Sequence, residues 1–217
     1  MPAGHITVRD PVDPTTFWVN AFGVSFALIT ASSLLHVDHE GRILNDSGPV
    51  RNLNAAAFAI HSAIHQARPD VTAAAHAHSL HGRAFCALQK ELDPITQDSC
   101  AFYRDHAVYR EFNGIIVESD ESARIANTLG HRKALLLTNH GILTTGNTIE
   151  ACVFWFVSMD KCCKTQLLAD AAGPTVKIDE VVAVSTQKQL GTELGGWFSG
   201  RLLFDVIDKE TGGDYKL

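Results

Sequence analysis

The 217-residue chain has no run of lysines or arginines, no CxxC pair and no apolar stretch as long as a membrane span. Each absence removes a class of function. With 18 basic against 24 acidic residues and a formal charge of −6, the chain offers no positive surface for a phosphate backbone, so nucleic acid is not expected as a partner. A bilayer-crossing helix needs about 20 consecutive apolar residues. None is present, and the opening MPAGHITVRDP lacks the apolar core of a signal peptide, so a cytoplasmic protein without a membrane partner is expected. The five cysteines, Cys86, Cys100, Cys152, Cys162 and Cys163, are odd in number and include an adjacent pair, which predicts free thiols over bridges or a zinc knuckle. Charged residues make up only 19% of the chain against 46% apolar, a globular balance. The length suits one domain, residues 1–217, with a C-terminal extension from about residue 173.

What the chain does have is histidine, 11 in all. Residues 71–82 read VTAAAHAHSLHG, a run of small and β-branched residues that predicts a strand ending in His76-Ala77-His78. Side chains at i and i+2 share a strand face, so both imidazoles aim at one point while Ala77 keeps the opposite face clear. A third imidazole is available at His140 in residues 133–146, KALLLTNHGILTTG, where an apolar strand ends in Asn-His-Gly and Gly141 is expected to supply the sharp turn. Three neutral imidazoles would leave a divalent ion with its charge uncompensated and a position open, the catalytic arrangement. On pattern alone a second reading stays open: His76 and His78 as half-buried strand residues bonded to backbone, and His140 as a turn residue.

The start of the chain is all β, with strands at residues 5–9 and 17–20 and a hairpin over residues 33–44 turning at Glu40-Gly41. Asn54 predicts an N-cap for a helix that Arg68-Pro69 ends. After the histidine-bearing strand come a helix from about Ser79 to Leu88 and a long irregular stretch, DPITQDSCAFYRDHAVYREF. Strands at residues 114–118 and 133–138 flank a helix. Thr148 caps a long helix to about Ala171, with Cys152, Phe156, Met159, Cys163 and Leu167 on one face. A short helix from Asp179 and a loose, glycine-rich tail follow. Hairpins first and helices between later strands predict an α/β fold: a mixed, mainly antiparallel sheet covered by helices on both faces.

The motifs GHITVR, FWVNAFG, VDHEG, HSAIHQARPDV, HAHS and NHGILTTG, in that order from Gly4 to about Ala172, resemble the class II aldolase/adducin family. The resemblance implies a three-layer αβα architecture, one divalent ion per subunit on His76, His78 and His140 (Zn2+ first, Fe2+ or Mn2+ as alternatives), and a homotetramer with active sites between subunits. It also implies a helix ahead of the first strand, a segment that the three residues before Gly4 do not contain. The family's sugar-phosphate aldolases open the helix before the histidine strand with Ser-Ser-Glu, two phosphate ligands and an acid/base. Here Ala55, Ala56 and Ala57 stand in those places, His5 replaces a phosphate-contacting asparagine, and Gly23 keeps the glycine of a second phosphate-binding turn. Hydroxyl donors have become methyl groups, so Ala56, Ala57, His5 and Gly23 are expected to shape a substrate site that is more apolar than an aldolase's. Acid/base work would pass to His61, one turn after Ala57 on the same helix face. Family members also bring a tyrosine from a neighbouring subunit, in a part of the chain where Tyr103 and His106 are the candidates.

Three functional classes follow. A metal-dependent lyase acting on a small oxo or hydroxy acid or other carbonyl compound, and not on a sugar phosphate, is the first expectation. The second is a non-haem Fe(II) oxygenase or oxidative decarboxylase of an aromatic or prenylated acid, a use some family members make of this fold; the usual iron site, however, carries a carboxylate that no motif supplies here. The third is a non-catalytic, adducin-like interaction domain, which would have no need of the three histidines.

Overall fold

The computed structural model describes residues 4–114 and 119–217. Apart from Gly114, the strand expected at residues 114–118 lies outside the described residues. In chain order the elements are β1 (Gly4–Arg9), β2 (Thr16–Val19), β3 (Leu35–Asp38), α1 (Ala55–Ala67), β4 (Ala73–Ala77), α2 (Leu80–Cys86), β5 (His106–Tyr109), α3 (Ser119–Leu129), β6 (Ala134–Leu137), β7 (Gly141–Gly146), α4 (Ile149–Ala172), α5 (Glu180–Leu190) and α6 (Glu193–Thr211). Asn54 caps α1 by accepting from the Ala57 N–H at 3.2 Å, and Thr148 caps α4 by accepting from Ala151 at 3.1 Å.

The strands form one sheet in the order β3-β2-β1-β4-β7-β6-β5. Every neighbouring pair is antiparallel except β5 with β6, which is parallel. Alternation along β6 shows why both faces are covered. Leu135 and Leu137 meet Ile60 and Ile64 of α1 and Ile125 and Leu129 of α3, whereas Ala134 and Leu136 meet Phe85 of α2 and Trp155 and Met159 of α4. The result is the three-layer αβα arrangement with a mixed, mainly antiparallel sheet. Among the described residues no helix is long and apolar enough to cross a membrane.

Two segments differ from expectation. Residues 106–109, inside the stretch read as irregular, form β5; four residues are too few for a pattern of their own, and the strand exists through its ladder with β6. The glycine-rich tail is not loose either. It holds the 19-residue helix α6, capped by Thr192. Glycine in a helix costs up to about 1 kcal/mol relative to alanine, which is why the composition reads as coil. Contact with α4 offsets that cost: a Cβ on Gly196 would sit 2.7 Å from the Trp155 ring, and one on Gly200 would sit 2.1 Å from the Glu150 carbonyl oxygen. The buried Lys133 holds the junction ahead of α6, donating to the carbonyls of Ala101 (3.2 Å) and Gly191 and pairing with Asp105 at 2.9 Å.

Gly200→Ala is therefore expected to push α6 off α4 and to lower unfolding free energy by about 1–3 kcal/mol in urea titrations. Unchanged stability would mean that the two helices do not need this close approach.

Candidate metal centre and its cavity

Along β4, Ala73 and Ala75 pack on Cys152 of α4, so the alternation turns His76 to the α1 side of the sheet. There it stands across from His5 on β1 and Leu143 on β7. His78 follows two residues on. The third imidazole arrives through the β6–β7 hairpin, where the His140 N–H donates to the Leu137 carbonyl at 3.0 Å. The turn does not use Gly141 as expected: Asn139 takes the left-handed conformation, φ +55°, a region asparagine tolerates better than most side chains. Gly141 is needed for closeness instead, since a Cβ there would lie 2.6 Å from the Ala77 carbonyl oxygen.

Ring centroids of His140 lie 4.7 Å from both His76 and His78, which are 5.3 Å apart, and one ligand nitrogen from each lies within 4.8 Å of the others. The electrostatics suit a metal, because metal-binding imidazoles must be neutral. Burial pushes His76 down to about 3 and His140 down to about 4, and burial with Arg83 nearby lowers His78. The His76 Nδ1–H donates to the Ile142 carbonyl at 3.0 Å, fixing the tautomer that leaves Nε2 bare. The donor set therefore fits a divalent cation with open positions.

The triad forms part of the wall of a cavity of about 700 Å³. Ala56, Ala57, Ile60, Leu80, Ala84 and Phe112 give it an apolar surface, and among the described residues no Asp or Glu lines it. His5 lines it too, 2% exposed and with neither ring nitrogen hydrogen-bonded. His61 sits behind this wall, fully buried and not part of the lining; its Nδ1 bonds Thr7 Oγ1 at 2.8 Å. Tyr103 and His106 do not reach the cavity within this chain. Both nitrogens of His106 are engaged by backbone, Nδ1–H donating to Phe102 (2.7 Å) and Nε2 accepting from Leu92 (3.0 Å), which is a structural role. Gly23 has φ +87° in open space away from the cavity lining. Sequence reasoning missed the α2 wall, although Leu80, Arg83, Ala84 and Ala87 recur at i, i+3, i+4 and i+7, the spacing of one helix face.

Fold and site thus define a three-layer αβα protein with a strand-borne triple-histidine centre. The model of the class II aldolase and adducin N-terminal domain matches residues 1–167, and the chain belongs to that family. It is similar to decarboxylase NovR of Streptomyces niveus, 46% identical over 94% of this chain and 75% of that protein. It is likewise similar to the 4-hydroxy-3-prenylphenylpyruvate oxygenase/4-hydroxy-3-prenylbenzoate synthase of Streptomyces roseochromogenus subsp. oscitans, 46% identical over 94% of this chain and 73% of the other. A solved structure titled L-fuculose 1-phosphate aldolase from Glaciozyma antarctica PI12 superposes with a TM-score of 0.93 at 47% identity, covering 100% of this chain and 84% of that one.

His78→Ala is expected to abolish stoichiometric binding of a divalent ion while leaving the circular dichroism spectrum unchanged; retention of one equivalent would remove His78 from the centre.

A pH dependence follows from the imidazoles buried near β1. Burial, with Arg9 nearby, holds His65 down to about 3, burial holds His5 down to about 4, and His61 is lowered well below its ordinary value. An unfolded chain protonates these groups near pH 6.5 and the folded one resists, so below pH 6.5 the unfolded state binds more protons. Stability is then complete above about pH 6.5 and falls as the pH drops, by roughly 1.4 kcal/mol per pH unit for each such group. Metal-free protein followed by circular dichroism should unfold between about pH 6 and pH 4; a native signal retained to pH 4 would contradict this.

Proposed function

We propose that this protein is a metal-dependent enzyme that cleaves a carbon–carbon bond, a lyase acting on a small 2-oxo or hydroxy acid with an apolar, aromatic substituent. The observation that carries the reading is the pairing of a triple-histidine centre with a cavity walled by alkyl and aryl groups and lacking, among the described residues, any carboxylate. A divalent ion held by His76, His78 and His140, Zn2+ in the first instance, supplies Lewis acidity toward a substrate bound through adjacent oxygens. Ala56, Ala57 and Ile60 on one side and Leu80 and Ala84 on the other would hold the apolar substituent and exclude water from it. His5, with His61 behind it, is left to meet protons moved during the reaction. Those methyl-lined positions offer no donor to a phosphate, so a phosphorylated sugar would lose the anchor an aldolase gives it there, while Arg83 in the facing wall supplies a cation toward the acid's carboxylate.

A second reading, oxidative decarboxylation with molecular oxygen as oxidant and Fe2+ in the centre, is favoured by one specific observation: the similarity to the two Streptomyces proteins, one named a decarboxylase and the other an oxygenase. A homotetramer suits either reading. The stripe of exposed apolar side chains along α6, including Leu194 (72% exposed), Phe198 (55%) and Val206 (53%), supports burial against another copy.

Calorimetry of the metal-loaded protein should show phenylpyruvate binding at least tenfold tighter than L-fuculose 1-phosphate. Retro-aldol turnover of the sugar phosphate should be depressed by roughly 10²- to 10⁴-fold for want of the acid/base carboxylate. Tighter binding of the sugar phosphate would overturn the reading and restore an aldolase. Turnover of the 2-oxo acid only in air and only with Fe2+ would decide for the oxidative route.

A further inference from the structure

The interface between α1 and β1 is unusual for a buried one: it is a seam of polar groups. Thr7 Oγ1 lies 2.8 Å from His61 Nδ1 and 2.9 Å from His65 Nε2, while His65 Nδ1 lies 3.3 Å from both the Val71 carbonyl oxygen and Arg9 Nη2. Thr7 has one proton to give, so it donates to one imidazole and accepts from the other. Two arrangements are open, each using one of the two 3.3 Å contacts of His65 Nδ1. In one, Arg9 donates to His65 Nδ1, His65 Nε2–H donates to Thr7, Thr7 donates to His61 Nδ1, and His61 Nε2 carries a proton. In the other, His61 Nδ1–H donates to Thr7, Thr7 donates to His65 Nε2, His65 Nδ1–H donates to Val71, and His61 Nε2 offers a lone pair. The seam is closed either way, and the orphaned Nε2 of His61 differs only in presenting a donor or an acceptor.

Next to that nitrogen is His5, its ring edge-to-face with His61 at 6.3 Å between centroids, and both of its own nitrogens are buried and without a partner. Burial without a hydrogen bond is costly for such groups, and the two orphaned nitrogens of His5 in the cavity wall, with that of His61 behind them, point to a ligand group that satisfies them. No Asp or Glu among the described residues lines the cavity beside His5, so nothing there holds a second proton on its buried ring. A neutral imidazole offers one donor and one acceptor. That matches a hydroxyl, which also donates and accepts, better than a phosphate or carboxylate, which only accept and favour cations.

We propose that His5, positioned by the Thr7–His61–His65 seam, is a recognition subsite for a hydroxyl group on the substrate. Its place in the wall of the same cavity makes this a specificity element of the reaction proposed above, and it rests on that reading.

The test compares 4-hydroxyphenylpyruvate with phenylpyruvate by anaerobic calorimetry on the zinc-loaded protein. The hydroxylated acid should bind about tenfold tighter, the size of one buried hydrogen bond. His5→Phe should bring the ratio to about one. Thr7→Val should lower the ratio as well, and Thr7→Ser, which keeps the hydroxyl, should restore it; a role in packing alone would not distinguish the two ligands. Should His5→Phe fail to fold, the Thr7 pair carries the same comparison. Equal affinities in the wild type, or a preference that survives His5→Phe, would overturn the subsite. Binding of neither acid would overturn the reading it rests on, and the subsite with it.

Discussion

The centre depends on how closely the β6–β7 hairpin lies against the end of β4. His76 and His78 come from one strand and need nothing more than its pleat to share a face. His140 is 62 residues further along the chain than His78, and it joins them because no side chain stands between Gly141 and the Ala77 carbonyl. Any Cβ at Gly141 would force the hairpin outward and open the triangle. The antiparallel β4–β7 ladder, with Ala77 opposite Ile142, then holds the two ligand-bearing elements in register. The Ile142 carbonyl of that ladder also fixes the His76 tautomer, so one stretch of backbone sets both the position and the protonation of the site.

Around this centre α1 presents apolar groups in one turn and polar ones in the next. In the first turn of α1, Ala56 and Ala57 face the cavity with methyl groups while Ala55 is exposed, and the following turns present His61 and His65 to β1. One helix thus contributes both an apolar cavity wall and a buried polar seam, separated by about one turn. On that contrast rests the proposal of a 2-oxo acid with an apolar substituent over a phosphate ester.

Much of this was legible in the sequence, for physical reasons. A His-x-His at a strand end announces its own geometry, and Asn54 and Thr148 cap the helices they were expected to cap. The strand at residues 106–109 was not legible, because a four-residue strand is defined by its partner. Nor was α6, whose Gly196 and Gly200 read as coil until Trp155 and Glu150 are seen against them. In the turn before Gly141 the residue type misled: the left-handed position belongs to Asn139, and the glycine answers to a neighbour 64 residues earlier, a contact that local pattern does not carry. The same holds for the site. The three proposed ligands could be named from strand and turn motifs, whereas the seam through Thr7, His61 and His65 required knowing that α1 lies over β1.

The claim on which the rest turns is that three imidazoles and no protein carboxylate hold one divalent ion in an apolar-walled cavity. X-ray absorption spectroscopy of the anaerobically purified, stoichiometrically loaded protein tests it most directly. The account predicts three imidazole nitrogens at about 2.0–2.1 Å for zinc, with the remaining positions filled by solvent oxygen. Fewer than three imidazoles, or a shell containing sulfur, would contradict it.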